Sequence, residues 1–266
     1  MQMTARGIYS SVESIRRKSP VVHNITNYVV MNNTANALLA IGASPVMAHA
    51  EEEVEEMVNI AQALVINIGT LSERWICSMI KAVSQAGKKG IPVILDPVGA
   101  GATGYRTKTA RELIEKAPPA IIRGNASEIM ALWNDQSSTR GVDSAESSDA
   151  AIVTAQKLSA TYHCVVCVSG ATDYIIEGDK IVKVKNGHPL MTKVTGLGCT
   201  ASALCGAFAA VEKAFPAAAK AMAVMGIAGE MAAQTSAGPG SLQMHFLDNL
   251  YNMSQADISE HLKIEE

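Results

Sequence analysis

The sequence has 266 residues, 48% of them hydrophobic and 18% charged, so material for a sizeable core is ample and disorder is not expected. Net charge is −3, aromatic residues make up 4%, and no run of Lys or Arg reaches four residues, which excludes the basic face or ring platform that a nucleic-acid partner requires. The five cysteines (Cys77, Cys164, Cys167, Cys199, Cys205) are odd in number and lie mostly in apolar runs, as reduced thiols of a cytoplasmic protein do.

A helical pattern from Thr4 to Lys18 comes first and stops at Pro20, with Arg16-Arg17-Lys18 placed to suit a helix carboxyl end. This opening segment has no signal-peptide core. Short apolar strands then alternate with amphipathic helices. Strands are expected at Val21-Val22, Pro45 to Met47, Leu64 to Ile68, Val93 to Leu95, Ile121-Ile122 and Cys164 to Val168. Helices are expected over 28–41, 51–60, 72–87, 106–117, 126–133 and 148–160, with Gly42 and Gly90 as carboxyl caps and Glu51-Glu52-Glu53 opening the second of them. Such alternation builds a mainly parallel sheet covered on both faces.

Asn134 to Ser148 is polar and Ser-rich and reads as a surface loop, not as a linker, so one domain over 1–266 is expected. Cys164 and Cys167 have a zinc-like spacing, but three residues apart on a strand they face opposite ways and cannot share an ion. Residues 173–185 alternate with period two around Gly178-Asp179, the pattern of a β-hairpin. From Cys199 onward the chain turns Ala-rich and helical. The uncharged run between Lys193 and Glu212 nears membrane-span length, but its glycines and hydroxyls mark a buried helix behind a Gly-rich turn, so no membrane is expected.

In open α/β sheets ligands bind beyond the carboxyl ends of strands. Those ends read His23 to Asn27, Met47 to His49, Asn67 to Thr70, Asp96 to Gly99, Arg123 to Asn125 and Ser169-Gly170. Glycines and short polar residues crowd them, allowing close backbone approach to a ligand. Gly99-Ala-Gly101-Ala-Thr-Gly104 matches a dinucleotide fingerprint, yet Asp96-Pro97 interrupts the tight turn that fingerprint needs, and the next strand end offers Arg123 instead of an acid. No G-x-x-x-x-G-K-[ST] is present, which excludes a P-loop. Thr195-Gly196-Leu197-Gly198-Cys199 is the stronger signal, because a Gly-rich turn entering a long helix offers free N–H groups to an anion. Cys199 in that first turn is expected to have its thiol pKa lowered by the dipole and to serve as proton acceptor. Asp96 and Glu128 supply two acids for a hard cation that keeps most of its waters, as Mg²⁺ does. The six histidines lack metal-ligand spacing and read as structural, with His23 and His49 near the pocket.

The N-x-x-E at Asn125 to Glu128, Asp96-Pro97 with its Gly-rich sequel, and Gly196-Leu-Gly198 resemble the ribokinase-like superfamily. More closely, His23 to Asn27, Pro45 to Met47, Asp96 to Arg106, Ile122 to Glu128 and Thr195 to Cys199 are similar to the hydroxyethylthiazole kinase family, and the resemblance spans nearly the whole chain. It implies a three-layer αβα fold around a mainly parallel sheet with no separate lid domain. It further implies transfer of the γ-phosphoryl group of ATP to 4-methyl-5-(2-hydroxyethyl)thiazole, a salvage step towards thiamine. Carried over, Met47 and Gly196 contact the thiazole, with Asn27 and Gly69 lining the same pocket. Arg123, Asn125 and Ser169 hold ATP, Asp96 and Glu128 organise Mg²⁺, and Cys199 stands where sugar kinases carry an Asp base. The alternatives are a related activity such as hydroxymethylpyrimidine kinase, which the Asn27 and Met47 segments disfavour, and a non-catalytic nucleotide-binding regulator, which the intact Asp96, Glu128 and Cys199 disfavour. The resembling family forms trimers. With single helices joining the early strands and no lid insertion, a homotrimer is expected in which Asn27 and Met47 of one chain meet Cys199 of the next.

Overall fold

The structure is a computed structural model and describes residues 3–133 and 144–266. In chain order the first elements are α1 (Ala5–Lys18), β1 (Val21–Ile25), α2 (Met31–Ile41), β2 (Ser44–Val46), α3 (Val54–Ile60), β3 (Ala63–Asn67), α4 (Glu73–Lys89) and β4 (Val93–Asp96). Then follow α5 (Gly104–Lys116), β5 (Ile121–Asn125), α6 (Ala126–Trp133), α7 (Ser144–Tyr162), β6 (Val165–Ser169), β7 (Asp173–Glu177) and β8 (Lys180–Val184). After a short 3₁₀ turn at Pro189–Lys193, the chain closes with α8 (Leu197–Ala209), α9 (Ala214–Thr235), α10 (Pro239–Asn252), α11 (Gln255–His261) and β9 (Ile264–Glu265).

Among the described residues the strands form one nine-stranded sheet in the order β2-β1-β3-β4-β5-β6-β7-β8-β9. Strands β1 to β6 pair in parallel, and β6 through β9 pair antiparallel. Side chains alternate across each strand, so Ala63 and Val65 enter one core while Leu64 and Ile66 enter the other. One core is closed by α1, α2 and α8 to α11, the opposite one by α3 to α7, which gives three layers. Helix α8 lies so close to the sheet that a Cβ on Gly206 would come 2.7 Å from Val65. Cys164 and Cys167 fall in opposite cores, as their spacing requires.

The hairpin at 173–185 is present as β7 and β8, and Gly42 and Gly90 cap α2 and α4 in the left-handed conformation. Several boundaries differ from the sequence reading. Strand β1 runs through His23 and Asn24, polar residues that disguise it; both are fully buried. Glu51 to Glu53 form a turn ahead of α3, whose first-turn acids are Glu55 and Glu56. Helix α7 begins at Ser144, inside the expected 134–148 loop, and the rest of that stretch lies outside the described residues. The segment from Pro97 to Thr103 separates β4 from α5, so the G-x-G-x-x-G run is an open loop and not a dinucleotide turn.

Candidate active site

The chain reverses its direction of sheet growth between β1 and β3, since β2 lies on one side of β1 and β3 on the other. The site lies beyond that point, at the carboxyl ends of β4, β5 and β6, the side of the sheet on which open α/β folds bind ligands. Parallel register sets Asn67 of β3 opposite Asp96 of β4, and Asn125 of β5 opposite Ser169 of β6. A row of polar side chains therefore runs along one sheet edge. Above it stands the amino end of α8, with Gly196 as its cap at φ 84° and a Cβ position 2.7 Å from Val30. Only glycine suits that position.

Between the row and the helix lies a cavity of about 280 Å³ lined by Asp96, Val98, Arg123, Asn125, Glu128, Ser169, Gly196, Gly198 and Cys199. A second cavity of about 580 Å³ shares Arg123, Ser169 and Gly198 with it and continues between Gly170, His188 and Met225. Seven of the ten residues expected at the site thus line one cavity. Asn27 joins them by donating its Nδ2 to Cys199 Sγ at 3.5 Å, and Gly69 packs against Asn27. Met47 follows the outermost strand β2 and lines neither cavity. The Asn27–Cys199 contact lies within one chain, which corrects the expectation that these two residues come from different subunits.

Asp96 is buried, and its Oδ2 accepts hydrogen bonds from Asn67 Nδ2 and Ser202 Oγ, both at 2.8 Å. Burial pushes its pKa up to about 6, against the opposing pull of Arg123. Burial is the largest influence on Arg123 and works against its charge, but Asp96, Cys167, Cys205 and Asp173 together outweigh it and raise the guanidinium pKa. Among the described residues Arg123 hydrogen-bonds only to Ser202 Oγ, at 3.5 Å, and its Nε has no protein partner. A buried guanidinium left so open can receive an anion.

Glu128 is engaged differently. Its Oε1 accepts from the Gly99 N–H and its Oε2 from the Asn125 N–H, each at 2.9 Å, while Asn125 Oδ1 accepts from the Glu128 N–H at 2.9 Å. This reciprocal cap starts α6 and binds the loop after β4 to the end of β5. Arg106 ties that loop to its neighbour, donating to the carbonyls of Ile68 (2.9 Å), Val98 (2.8 Å) and Gly69 (3.0 Å).

Cys199 does not behave as the helix dipole suggested. Burial, and then the charge of Asp96, push its thiol up to about 11, outweighing the hydrogen bonds from Asn67 and Asn27. The thiol is protonated at neutral pH. Sequence reading placed Asn67 at a strand end and Arg106 in the family-like block, but gave no role to them or to Ser202. Ser202 had a signal, since it recurs three residues after Cys199 on an otherwise apolar helix. His23 is buried, its Nε2 2.8 Å from the Ala48 carbonyl, beneath the segment that carries Met47.

A polar strand-end row facing a helix amino terminus suits an anionic ligand, and similarity to known proteins places the chain among kinases of the ribokinase-like class. Pyridoxal kinase from Staphylococcus aureus, in complex with AMP-PCP and pyridoxal, shares the fold with a TM-score of 0.62 at 15% identity, over 92% of this chain and 98% of its own. The hydroxyethylthiazole kinase family matches residues 12–256, and the chain belongs to that family. Relatives named hydroxyethylthiazole kinase include one from Syntrophus aciditrophicus, 62% identical over 99% of this chain and 98% of its own. Another, from Leptospira biflexa, is 58% identical over 98% of both chains. The hydroxyethylthiazole kinase structure from Pyrococcus horikoshii superposes with a TM-score of 0.90 at 42% identity, covering 98% of both chains. No helix among the described residues is long and apolar enough to cross a membrane.

Proposed function

We propose that this chain transfers the γ-phosphoryl group of ATP to the hydroxyl of 4-methyl-5-(2-hydroxyethyl)thiazole, in the salvage of thiamine's thiazole half. The observation that carries this reading is the shared wall of the two cavities: Arg123, Ser169 and Gly198 belong to both. A nucleotide laid along that wall would rest its adenosine in the larger, mostly apolar cavity and pass its phosphates beneath Arg123 and Ser169 into the smaller one. There the phosphoryl group meets the free N–H groups at the start of α8, which stabilise charge as it develops.

The donor set suits Mg²⁺, which takes one or two carboxylates and fills its shell with water and phosphate oxygens. Asp96 would hold it through the oxygen that Asn67 and Ser202 leave free, with Glu128 acting beside it through the turn it braces. When bound, the cation would neutralise charge on the β- and γ-phosphate oxygens. The thiazole would sit at the Gly196 end of the smaller cavity, near Asn27 and Gly69, with its hydroxyl towards Cys199. A loose transition state asks little of a base. The Cys199 sulfur would accept the hydroxyl hydrogen bond and so aim the oxygen; as the new P–O bond forms and the bond to ADP breaks, the proton would pass late to an oxygen of the transferred phosphoryl group.

The active unit we propose is a homotrimer in the cytoplasm, where the five free cysteines remain reduced. Tyr28 and Val29, next to Asn27, are exposed, and Met47 stands beside the sheet edge, so a neighbouring chain could cover the mouth and bring Met47 to the thiazole. Light scattering should report three chains. A coupled ADP-release assay over thiazole, pyrimidine and sugar alcohols should give turnover with the thiazole alcohol at the highest kcat/KM. Higher kcat/KM with a hydroxymethylpyrimidine, or nucleotide binding without turnover on any alcohol, would refute the substrate assignment.

A further inference from the structure

We propose that Asn67, which no substrate need touch, is the positioning residue that fixes the phosphate half of the site relative to the acceptor half; the inference rests on the kinase reading above. Asn67 is buried at the last position of β3. Its Oδ1 accepts from Asn27 Nδ2 and from the Gly69 N–H, both at 2.9 Å. Its Nδ2 donates to Asp96 Oδ2 at 2.8 Å. A primary amide has two acceptor positions and two N–H donors, so both acceptor positions and one donor are in use. The orientation is forced, because the Gly69 N–H can only donate and an ionised Asp96 can only accept.

Every partner of this one amide belongs to the site. Asp96 serves the phosphate end, Asn27 and Gly69 the acceptor end, and Cys199 lies between them. Because Asn67 is planar and bonded through both its oxygen and its nitrogen, it sets the spacing between the carboxylate and the acceptor pocket as a rigid strut does. Near-attack geometry is steep in that spacing, and a displacement of about 1 Å costs roughly 10²-fold in rate.

Two substitutions separate positioning from bulk structure. Asn67→Asp keeps the shape and the bonds from Asn27 and Gly69, and loses the donation to Asp96. Asn67→Ala loses all three bonds. Gly69→Ala attacks the strut from outside, since a Cβ there would stand 2.7 Å from Asn27 Nδ2 and 2.9 Å from Asn67 Oδ1. In the full chain with Mg²⁺, both Asn67 variants should lose roughly 10²-fold in kcat at saturating ATP and alcohol. ADP affinity by calorimetry should stay within roughly threefold, because neither Arg123 nor the larger cavity touches Asn67. Gly69→Ala should raise KM for the alcohol roughly tenfold and leave KM for ATP unchanged. Parental kcat in either soluble Asn67 variant, or ADP affinity falling in step with kcat, overturns the proposal. If neither variant folds, Gly69→Ala decides alone: an unchanged KM for the alcohol overturns it. A parent inactive on the thiazole alcohol refutes the kinase reading itself, whereas an active parent with unimpaired variants refutes only the strut.

Discussion

Asp96→Asn should make the protein more stable while disabling it. In the folded state burial lifts the Asp96 pKa from 3.8 to about 6, the pull of Arg123 and the bonds from Ser202 and Asn67 only partly offsetting it. At about 1.36 kcal/mol per pKa unit, keeping this carboxylate ionised above pH 7 costs about 3 kcal/mol. An asparagine has nearly the same shape, and its Oδ1 can accept the hydrogen bonds from Asn67 and Ser202. It therefore stands in for the protonated acid and removes the cost. For a chain of this size about 3 kcal/mol corresponds to a rise of about 6–12 °C in Tm.

The pH dependence identifies the cause. Between pH 3.8 and about 6 the folded chain binds a proton at Asp96 that the unfolded chain has released, so the parent gains stability as pH falls through that window. The amide has nothing to titrate there. The variant's advantage should be full above pH 7, shrink through 6, and vanish near 4. Thermal or urea melts of EDTA-treated, nucleotide-free protein at pH 8, 6 and 4.5 would measure it. A variant less stable than the parent at pH 8, or an advantage independent of pH, would show that the cost of the buried charge was wrongly reasoned.

Cys199→Ala should lower kcat by about 10–10³-fold with ATP affinity nearly unchanged, since a positioned acid-base group contributes at most about 10²–10⁴ and a loose transition state needs less. An alanine variant as fast as the parent would remove Cys199 from the chemistry. Alkylation of Cys199, followed peptide by peptide, should keep accelerating as pH rises towards 11, where its thiolate finally forms; a plateau below pH 9 would contradict the burial argument. Arg123→Ala should raise KM for ATP more than KM for the alcohol, and equal changes in steady-state titrations would place the guanidinium elsewhere. Glu128→Gln should shift Mg²⁺ dependence upward and cost about 1–3 kcal/mol in a urea melt, because an NH₂ group would then face a backbone N–H; an unchanged Mg²⁺ titration would confine Glu128 to its capping role.

Much of the architecture was legible because buried parallel strands and amphipathic helices carry distinct periods, and because glycine at Gly42, Gly90 and Gly196 has a local, mechanical reason. The residues missed share a different property. His23 and Asn24 belong to a buried strand yet are polar, so a rule built on apolar runs ends β1 two or three residues early. Asn67 and Ser202 act by hydrogen bonds to Asp96, a partner 29 and 106 positions away, and no local window contains that pairing. The Cys199 pKa failed for the same reason. The helix start is visible in sequence, but the burial and the Asp96 charge that reverse its effect come from the tertiary fold.

That reversal bears on how the site works. A thiolate beside Asp96 would place two negative charges where ATP must bring more, and a transition state with charge spread over three phosphoryl oxygens would meet repulsion from both. A neutral thiol avoids this. The site then holds Asp96, kept at the edge of ionisation by burial, Glu128, whose two oxygens are each bound by a backbone N–H, one open guanidinium and the partial positive charge of a helix amino end, and a thiolate would add one more negative charge against an entering anion. The energetic strain on Asp96 and the suppressed acidity of Cys199 follow from one cause, the exclusion of water. On the proposed reading the same exclusion would steer the phosphoryl group to the alcohol instead of to hydrolysis.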